Sequence, residues 1–412
     1  MTPGPSTRTL ETRLTCADDR ILGVLPTLRE ALSGSGPALA LSDEVPQSHL
    51  KSTQRPDSAP PGVLDLVEEP VPLEGPDDDP ADPTAVSVRT SGSTGVPKRV
   101  LLSASALFAS ASATHDRLGG GGQWLLALPA QHIAGLQVLV RSLVAGTTPG
   151  VMDLGGGFTP AGFTEATARL RGRRLYTSLV PTQITRILDD PAATRALGRY
   201  DAVLVGGSAV GETLLARAAD AGARLITTYG MSETAGGCVY DGVPLDGVEI
   251  TLDEGTGRIR ISGPTLARGY LGAPFREDVF ATSDHGSWAD GRLRIGGRLD
   301  AVIISGGVNI APGPVEDVLQ RLPGVAEAVV VGVPDPEWGQ RVGAALVLTP
   351  GAQAPTLAEV RARVTHELSA RSAPRQLTVL ERLPLRGPGK PDRAAITTIL
   401  SGTPAPGSPE GN

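Results

Sequence analysis

Apolar and polar positions along this chain repeat with two periods, and each change of period marks an element. Ala85-Val86-Ser87-Val88 alternates in the way a short strand does. A helical period follows from about 103 to 118, with Ser103 placed to cap it and Gly119-Gly120-Gly121-Gly122 to end it. Trp124-Leu125-Leu126-Ala127-Leu128-Pro129 reads as a buried strand, and a helix runs from just after His132 to about Ala145, stopped by Gly146. Strands over 175–179, 202–205 and 225–228 are separated by helices starting near Pro181 and Gly211. Strands alternating with helices predict an α/β domain on a largely parallel sheet, with ligands at the carboxyl ends of its strands.

After Gly242 the pattern changes. Short strands over 248–252, 258–262 and 292–295 predict a small antiparallel β subdomain. An apolar strand over 301–304 then opens a compact, mobile α+β domain. Its elements are a helix near 314–322, strands over 326–333 and 344–348, a helix over 357–368 and a strand over 377–380. Before the first strand, residues 1–50 show helical periodicity only around 21–32, and 52–84 is rich in Pro and acid, a loop or ordered linker. The expected division is a large N-terminal domain over 1–299, a small C-terminal domain over 300–400, and a disordered Pro/Gly/Ser tail over 401–412.

Composition narrows the class. Of 412 residues 40% are hydrophobic and 20% charged, which are globular values, and the formal charge of −7 argues against nucleic acid as a partner. Two cysteines, Cys16 and Cys238, provide no disulfide framework. The N-terminus lacks a basic-then-apolar leader and no run is long enough to be an integral membrane segment, so a cytoplasmic protein is expected. The basic residues are nearly all arginine. Lys51, Lys98 and Lys390 are the exceptions, and the last two lie in Pro/Gly-rich loops. A compact ammonium can sit against a phosphoryl or carboxylate oxygen where a planar guanidinium does not fit.

Lys98 closes Thr90-Ser91-Gly92-Ser93-Thr94-Gly95-Val96-Pro97-Lys98, a run of hydroxyls and glycines suited to cradle phosphate. It is not a Walker loop, which needs Gly before the Lys and Ser or Thr after it; Pro97 and Arg99 stand there instead. Two further strand ends look chemical: Gly206-Gly207-Ser208, and Tyr229-Gly230-Met231-Ser232-Glu233-Thr234.

TSGSTGVPK, YGMSET, a later Ser-Asp, GRLDAVIISGGVNIAP and LPLRGPGK, in this order, resemble the adenylate-forming superfamily of acyl- and aryl-CoA ligases, luciferases and adenylation domains. LALPAQHIAGLQVLVRSLVAG, SLVPTQ and VVGVPDPEWGQRV are most similar to o-succinylbenzoate–CoA ligases of menaquinone synthesis. The resemblance implies a two-step reaction using ATP, Mg²⁺ and coenzyme A, in which a small-molecule carboxylate becomes an acyl-adenylate and then a thioester. It leaves open another acyl- or aryl-CoA ligase, or a stand-alone adenylation protein that loads a carrier. A homodimer is compatible with it.

The resemblance also implies roles. Thr90, Ser91, Gly92, Ser93, Thr94, Gly95 and Lys98 would hold the β- and γ-phosphates, Glu233 would help hold Mg²⁺, and Thr234 would donate to the α-phosphate. Tyr229 and Gly230 with Gly206, Gly207 and Ser208 would bracket adenine, and Asp284 and Arg298 would reach the ribose. Lys390 would bridge the acyl carboxylate and the α-phosphate. Asp300 falls at the hinge, and Ser305, Gly306 and Gly307 at the coenzyme A channel. His132 would gate the acyl pocket, and Gly236 and Gly237 would form its floor. Ala134, Val138 and Arg141 share one helix face, where the Arg141 guanidinium suits a second, distal carboxylate. Three features depart from the superfamily pattern: a short segment before the phosphate loop, Ser283 in place of Gly before Asp284, and no clear second acidic ligand for the metal.

Overall fold

The computed structural model describes residues 8–42, 69–90, 98–349, 351–385 and 390–402. Residues 91–97 of the phosphate-loop candidate, 386–389 before Lys390 and 403–412 of the expected tail lie outside them. The chain divides into two compact units. The first is drawn from Met1–Val210, Leu214–Ile250 and Ile261–Phe280, and the second from Gly211–Thr213, Thr251–Arg260 and Ala281–Asn412.

Two seven-stranded sheets build the first unit. One runs Val243–Pro244, Gly236–Tyr240, Leu225–Met231, Ala202–Val205, Leu175–Leu179, Gln123–Leu126, Gly150–Val151. Its centre is parallel, as the α/β alternation predicts, and only the returning strand Gly236–Tyr240 and its neighbour are antiparallel. Leu125, Leu179, Val203 and Val205 meet Phe163, Ile184, Ile187 and Leu197 from the helices on one face in a closed apolar core. Burying each such side chain contributes about 1.5–3 kcal/mol.

In the other sheet only Thr84–Thr90 is legible in the sequence, through residues 85–88. Its order is Ala273–Pro274, Gly269–Tyr270, Lys98–Ser103, Thr84–Thr90, Ala38–Ser42, Thr9–Leu14, Val71–Pro72. The residues after Lys98 form a strand before the helix Ala104–Leu118 begins, so the phosphate-loop candidate joins two antiparallel strands in register Thr90↔Lys98. Ser103 caps that helix as expected, its hydroxyl accepting from Ala106 N–H at 3.2 Å, worth about 1 kcal/mol. The acidic stretch is partly folded in: Asp77 is buried and its carboxylate accepts from Gly272 N–H at 3.1 Å. A carboxylate that finds a backbone donor can be buried where a solvated linker acid is not.

The second unit carries most of a four-stranded sheet ordered Glu249–Leu252, Arg258–Ser262, Val279–Ala289, Arg292–Arg298. Ser283-Asp284-His285 lies inside the long strand Val279–Ala289 rather than in a loop. A five-stranded sheet follows, Val308–Ile310, Ile303–Ser305, Gly339–Leu348, Val325–Asp335, with Gln376–Leu380 beside Gly339–Leu348. The helices Pro312–Gln320 and Leu357–Glu367 share the core of that sheet through Val315, Val318, Leu319, Val360 and Val364, and Arg393–Ser401 seals the other face through Ile396 and Leu400. The expected strand over 301–304 is displaced: Leu299–Ala301 is a 3-10 turn containing Asp300, and the strand is Ile303–Ser305.

Candidate active site

In the first unit, the strand Leu225–Met231 is longer than its apolar period predicts, because antiparallel pairing with Gly236–Tyr240 carries it through Tyr229 and Gly230. The chain reverses through the 3-10 turn Ser232–Thr234, then through Ala235 at φ 49° and Gly236 at φ 101°. The reversal is so close that a Cβ on Gly230 would lie 2.1 Å from the Gly236 carbonyl oxygen. Only glycine fits there.

Thr234 locks this turn. It is 0% exposed; its hydroxyl accepts from Met231 N–H at 2.9 Å and donates to the Gly236 carbonyl at 2.8 Å. The hydroxyl thereby serves backbone groups that burial would otherwise leave unpaired. Glu233 lies within the turn that these bonds close. Tyr270 donates to Glu233 Oε1 at 2.9 Å, and the Lys98 ammonium lies 4.6 Å from the centroid of the Tyr270 ring. The pairing explains the approach, since Tyr270 stands opposite Val100, one same-face step from Lys98. Burial and the neighbouring Glu233 charge push the Tyr270 phenol well above its ordinary pKa, which keeps it a donor.

Tyr270 had no place among the sequence candidates. A signal existed, because it is one of five tyrosines in a chain with 3% aromatic residues.

Gly206, Gly207 and Ser208 follow the strand Ala202–Val205 directly. A Cβ on Gly206 would meet Thr228 Oγ1 at 2.4 Å, so glycine lets this strand end lie against the strand carrying Tyr229. Gly207 turns at φ 86° and Ser208 is exposed.

The helix Ile133–Val144 runs along the returning strand. His132 is its N-cap, half-buried, with no capping bond from its side chain. Gln137 donates to the Ala235 carbonyl at 2.7 Å, and Gly236 faces Ile133 and Gln137. Ala134 is exposed and Val138 buried. One turn past Gln137, Arg141 is 3% exposed. Its guanidinium carbon lies 5.0 Å from the Trp124 ring centroid, and Nη2 reaches the Tyr240 hydroxyl at 3.4 Å. No carboxylate pairs with it among the described residues, and its buried Nε has no acceptor. Burial lowers its affinity for the proton. An uncompensated buried cation costs several kcal/mol, about 3–5 when a partner is removed from a pair. An anion entering beside it would remove that cost.

In the second unit the candidates stand in three places. Asp284 and Arg298 are register partners across the antiparallel pair, with Oδ1 to Nη1 at 4.0 Å. Arg298 also holds Asp300, donating through Nε at 2.7 Å, and this bond keeps the Asp300 carboxyl below its ordinary pKa. Ser305-Gly306-Gly307 forms the tip of the hairpin between Ile303–Ser305 and Val308–Ile310, with Gly306 at φ 56° and Gly307 at φ 75°. Gly306 donates to the Trp338 carbonyl at 2.9 Å, and a Cβ there would strike the indole at 2.4 Å. Lys390 is exposed, in a loop closed by a bridge between Leu385 and Pro391. No group of three or more His, Cys, Asp or Glu side chains that could by themselves hold a metal ion occurs among the described residues, and none of their helices is long and apolar enough to cross a membrane.

Residues 18–271 match the AMP-binding enzyme family, and residues 314–390 match the AMP-binding enzyme C-terminal domain. A probable 2-succinylbenzoate–CoA ligase of Mycobacterium tuberculosis is 46% identical over 388 residues, covering 92% of this chain and 95% of its own length. The 2-succinylbenzoate–CoA ligase of Enterococcus faecalis is 31% identical over 330 residues, covering 73% and 66%. Among solved structures, o-succinylbenzoate CoA synthetase from Bacillus subtilis in complex with its acyl-adenylate intermediate superposes with a TM-score of 0.69 at 25% identity, over 93% of this chain and 82% of that one.

Proposed function

Since the chain belongs to the AMP-binding enzyme family, we propose that it is an ATP-dependent 2-succinylbenzoate–CoA ligase, acting in menaquinone synthesis. In the first step the substrate carboxylate attacks the α-phosphorus of ATP and pyrophosphate leaves. In the second the coenzyme A thiolate attacks the acyl carbon of the mixed anhydride and AMP leaves. Both steps develop negative charge on oxygen, so prepositioned donors and cations are what the protein must supply.

In this reading Lys98 meets the leaving pyrophosphate, together with the hydroxyls and backbone of 90–95. Lys390 bridges the attacking carboxylate and the α-phosphate. Tyr229 with Gly206, Gly207 and Ser208 receives adenine, and Asp284 accepts from the ribose diol, with Arg298 nearby. Glu233 would hold Mg²⁺, a hard cation that takes one or two carboxylates and fills its shell with phosphate oxygens and water, which suits the single carboxylate at this turn. The ion would neutralise phosphate charge. Asp300 is the proposed hinge between residues 1–299 and 300–400, whose rotation would exchange Lys390 for Ser305, Gly306 and Gly307 between the two steps. His132, Gly236 and Gly237 would border the acyl group. A cytoplasmic location and a homodimer complete the proposal.

The choice of acid rests on one observation: Arg141 is buried without a carboxylate partner. A benzoate or a fatty acid brings a single carboxylate, which the chemistry consumes. A dicarboxylate brings a second for Arg141. The test is a panel of carboxylic acids with ATP, Mg²⁺ and coenzyme A, reading AMP release. We expect 2-succinylbenzoate to exceed benzoate and fatty acids by at least ~100-fold in kcat/KM, the loss of one desolvated charge pair. Equal rates across the panel would reject the reading.

A further inference from the structure

The groups around Arg141 form a chain of donors and acceptors whose direction can be worked out atom by atom. Thr114 Oγ1 lies 2.8 Å from the Ser110 carbonyl of its own helix, an acceptor only, so the threonine proton goes there. Thr114 Oγ1 also lies 2.9 Å from the Tyr240 hydroxyl. With the threonine proton committed, Tyr240 must be the donor in that contact. The tyrosine oxygen then turns a lone pair toward Arg141 Nη2, 3.4 Å away. On the other side, Trp124 Nε1–H donates to His115 Nε2 at 3.3 Å, which leaves the histidine proton on Nδ1 and the ring neutral. Burial and the Arg141 charge hold His115 in that form, with its pKa pushed down to about 4.

Every member of this cage is thus neutral except Arg141. Ser110, Thr114, His115, Trp124 and Tyr240 orient the guanidinium, and none of them cancels its charge. A structural arginine of equal burial would be expected to have a carboxylate.

We infer that Tyr240 is a positioning residue for recognition of the substrate's distal carboxylate, an inference that rests on the dicarboxylate reading above. The relay Arg141–Tyr240–Thr114–Ser110 aims the guanidinium and keeps its positive charge for the ligand. Neither Tyr240 nor Thr114 is among the residues proposed to hold ATP or to act at the α-phosphate, so the loss of either hydroxyl is read in substrate selection.

The experiment compares steady-state kinetics for 2-succinylbenzoate and for benzoate in the wild type, Tyr240→Phe, Thr114→Val and Thr114→Ser. Tyr240→Phe removes one oxygen and preserves the ring. We expect it to raise KM for the dicarboxylate about 10-fold, leaving kcat and the benzoate constants within twofold. Thr114→Val should do the same more weakly, and Thr114→Ser, which restores the hydroxyl, should return KM to the wild-type value. A wild type that prefers 2-succinylbenzoate while Tyr240→Phe weakens both acids equally, or neither, overturns the inference and leaves the function standing. A wild type that treats the two acids alike overturns both.

Discussion

The Tyr270 hydroxyl donates to the Glu233 carboxylate at 2.9 Å, from a strand 37 positions further along the chain. The same ring carries the Lys98 ammonium on its face at 4.6 Å. One aromatic side chain therefore holds the acid proposed for the metal and the base proposed for the pyrophosphate. Tyr270→Phe keeps the ring and removes the bond to Glu233. The Mg²⁺ concentration giving half-maximal ATP–pyrophosphate exchange should rise several-fold, with about 1 kcal/mol of orientation lost. Tyr270→Leu, which also removes the ring face, should add a rise in KM for ATP. Unchanged Mg²⁺ dependence in Tyr270→Phe would show that Glu233 is held by other means.

Lys390→Ala should abolish acyl-adenylate formation while ATP still binds, because the ammonium's work is done at the α-phosphate in the transition state. Normal ATP–pyrophosphate exchange in that variant would sink the assignment.

Arg141→Met trades function for stability. Replacing a buried, uncompensated cation by an apolar chain of similar length should raise the unfolding free energy by about 1–3 kcal/mol. The preference for a dicarboxylate over benzoate should disappear in the same protein. A lower denaturation midpoint would mean that the guanidinium has a stabilising partner in solution.

His115 sets a stability change in acid. Its folded-state pKa, pushed down to about 4, lies below the ordinary 6.5. Between these values the unfolded chain binds a proton that the folded chain refuses, so stability falls as pH drops from about 6.5 toward 4. The full difference would be about 3 kcal/mol, at 1.36 kcal/mol per pH unit. His115→Gln should flatten this part of the urea midpoint against pH. A curve as steep as the wild type's would place the titration elsewhere.

Asp300→Pro should leave adenylation near its wild-type rate and slow thioester formation at least 10-fold, since proline restricts φ where the proposed rotation needs freedom. Single-turnover measurements of the two steps distinguish this from a general loss of activity. Equal slowing of both steps would count against a hinge.

Much of this protein was legible in one dimension because its chemistry is packed into short runs. The turn Met231-Ser232-Glu233-Thr234 is a local structure, closed by a threonine three residues from the backbone it binds. Ser103 caps its own helix. The strands 175–179 and 202–205 match the sequence reading to the residue: Ala202–Val205 is the short, continuous apolar run of a buried parallel strand, and Leu175–Leu179 is likewise buried throughout. The strand Thr9–Leu14 has no apolar alternation to read, because Thr9, Glu11, Thr12 and Arg13 are polar, and Thr12 is itself buried. Ala38–Ser42 is five residues of small and apolar type that no local rule separates from a helix. Lys98–Ser103 has no strand signature of its own, since Lys98 closes the phosphate-loop candidate and the helical period begins at about 103.

Sequence alone determined the α/β plan, the order of the motifs, and that Lys98, Lys390 and Arg141 deserved a chemical explanation. Tertiary structure alone decided what surrounds them. Tyr240 reaches Arg141 across 99 positions and Thr114 across 126, and no periodicity carries information over such distances. It also closed the turn of Glu233 through the Thr234 hydroxyl and set Tyr270 against both Glu233 and Lys98. The physical reason is the same in each case. Whether a polar group is available to a ligand depends on which neighbours have already taken its donors and acceptors, and those neighbours are chosen by the fold.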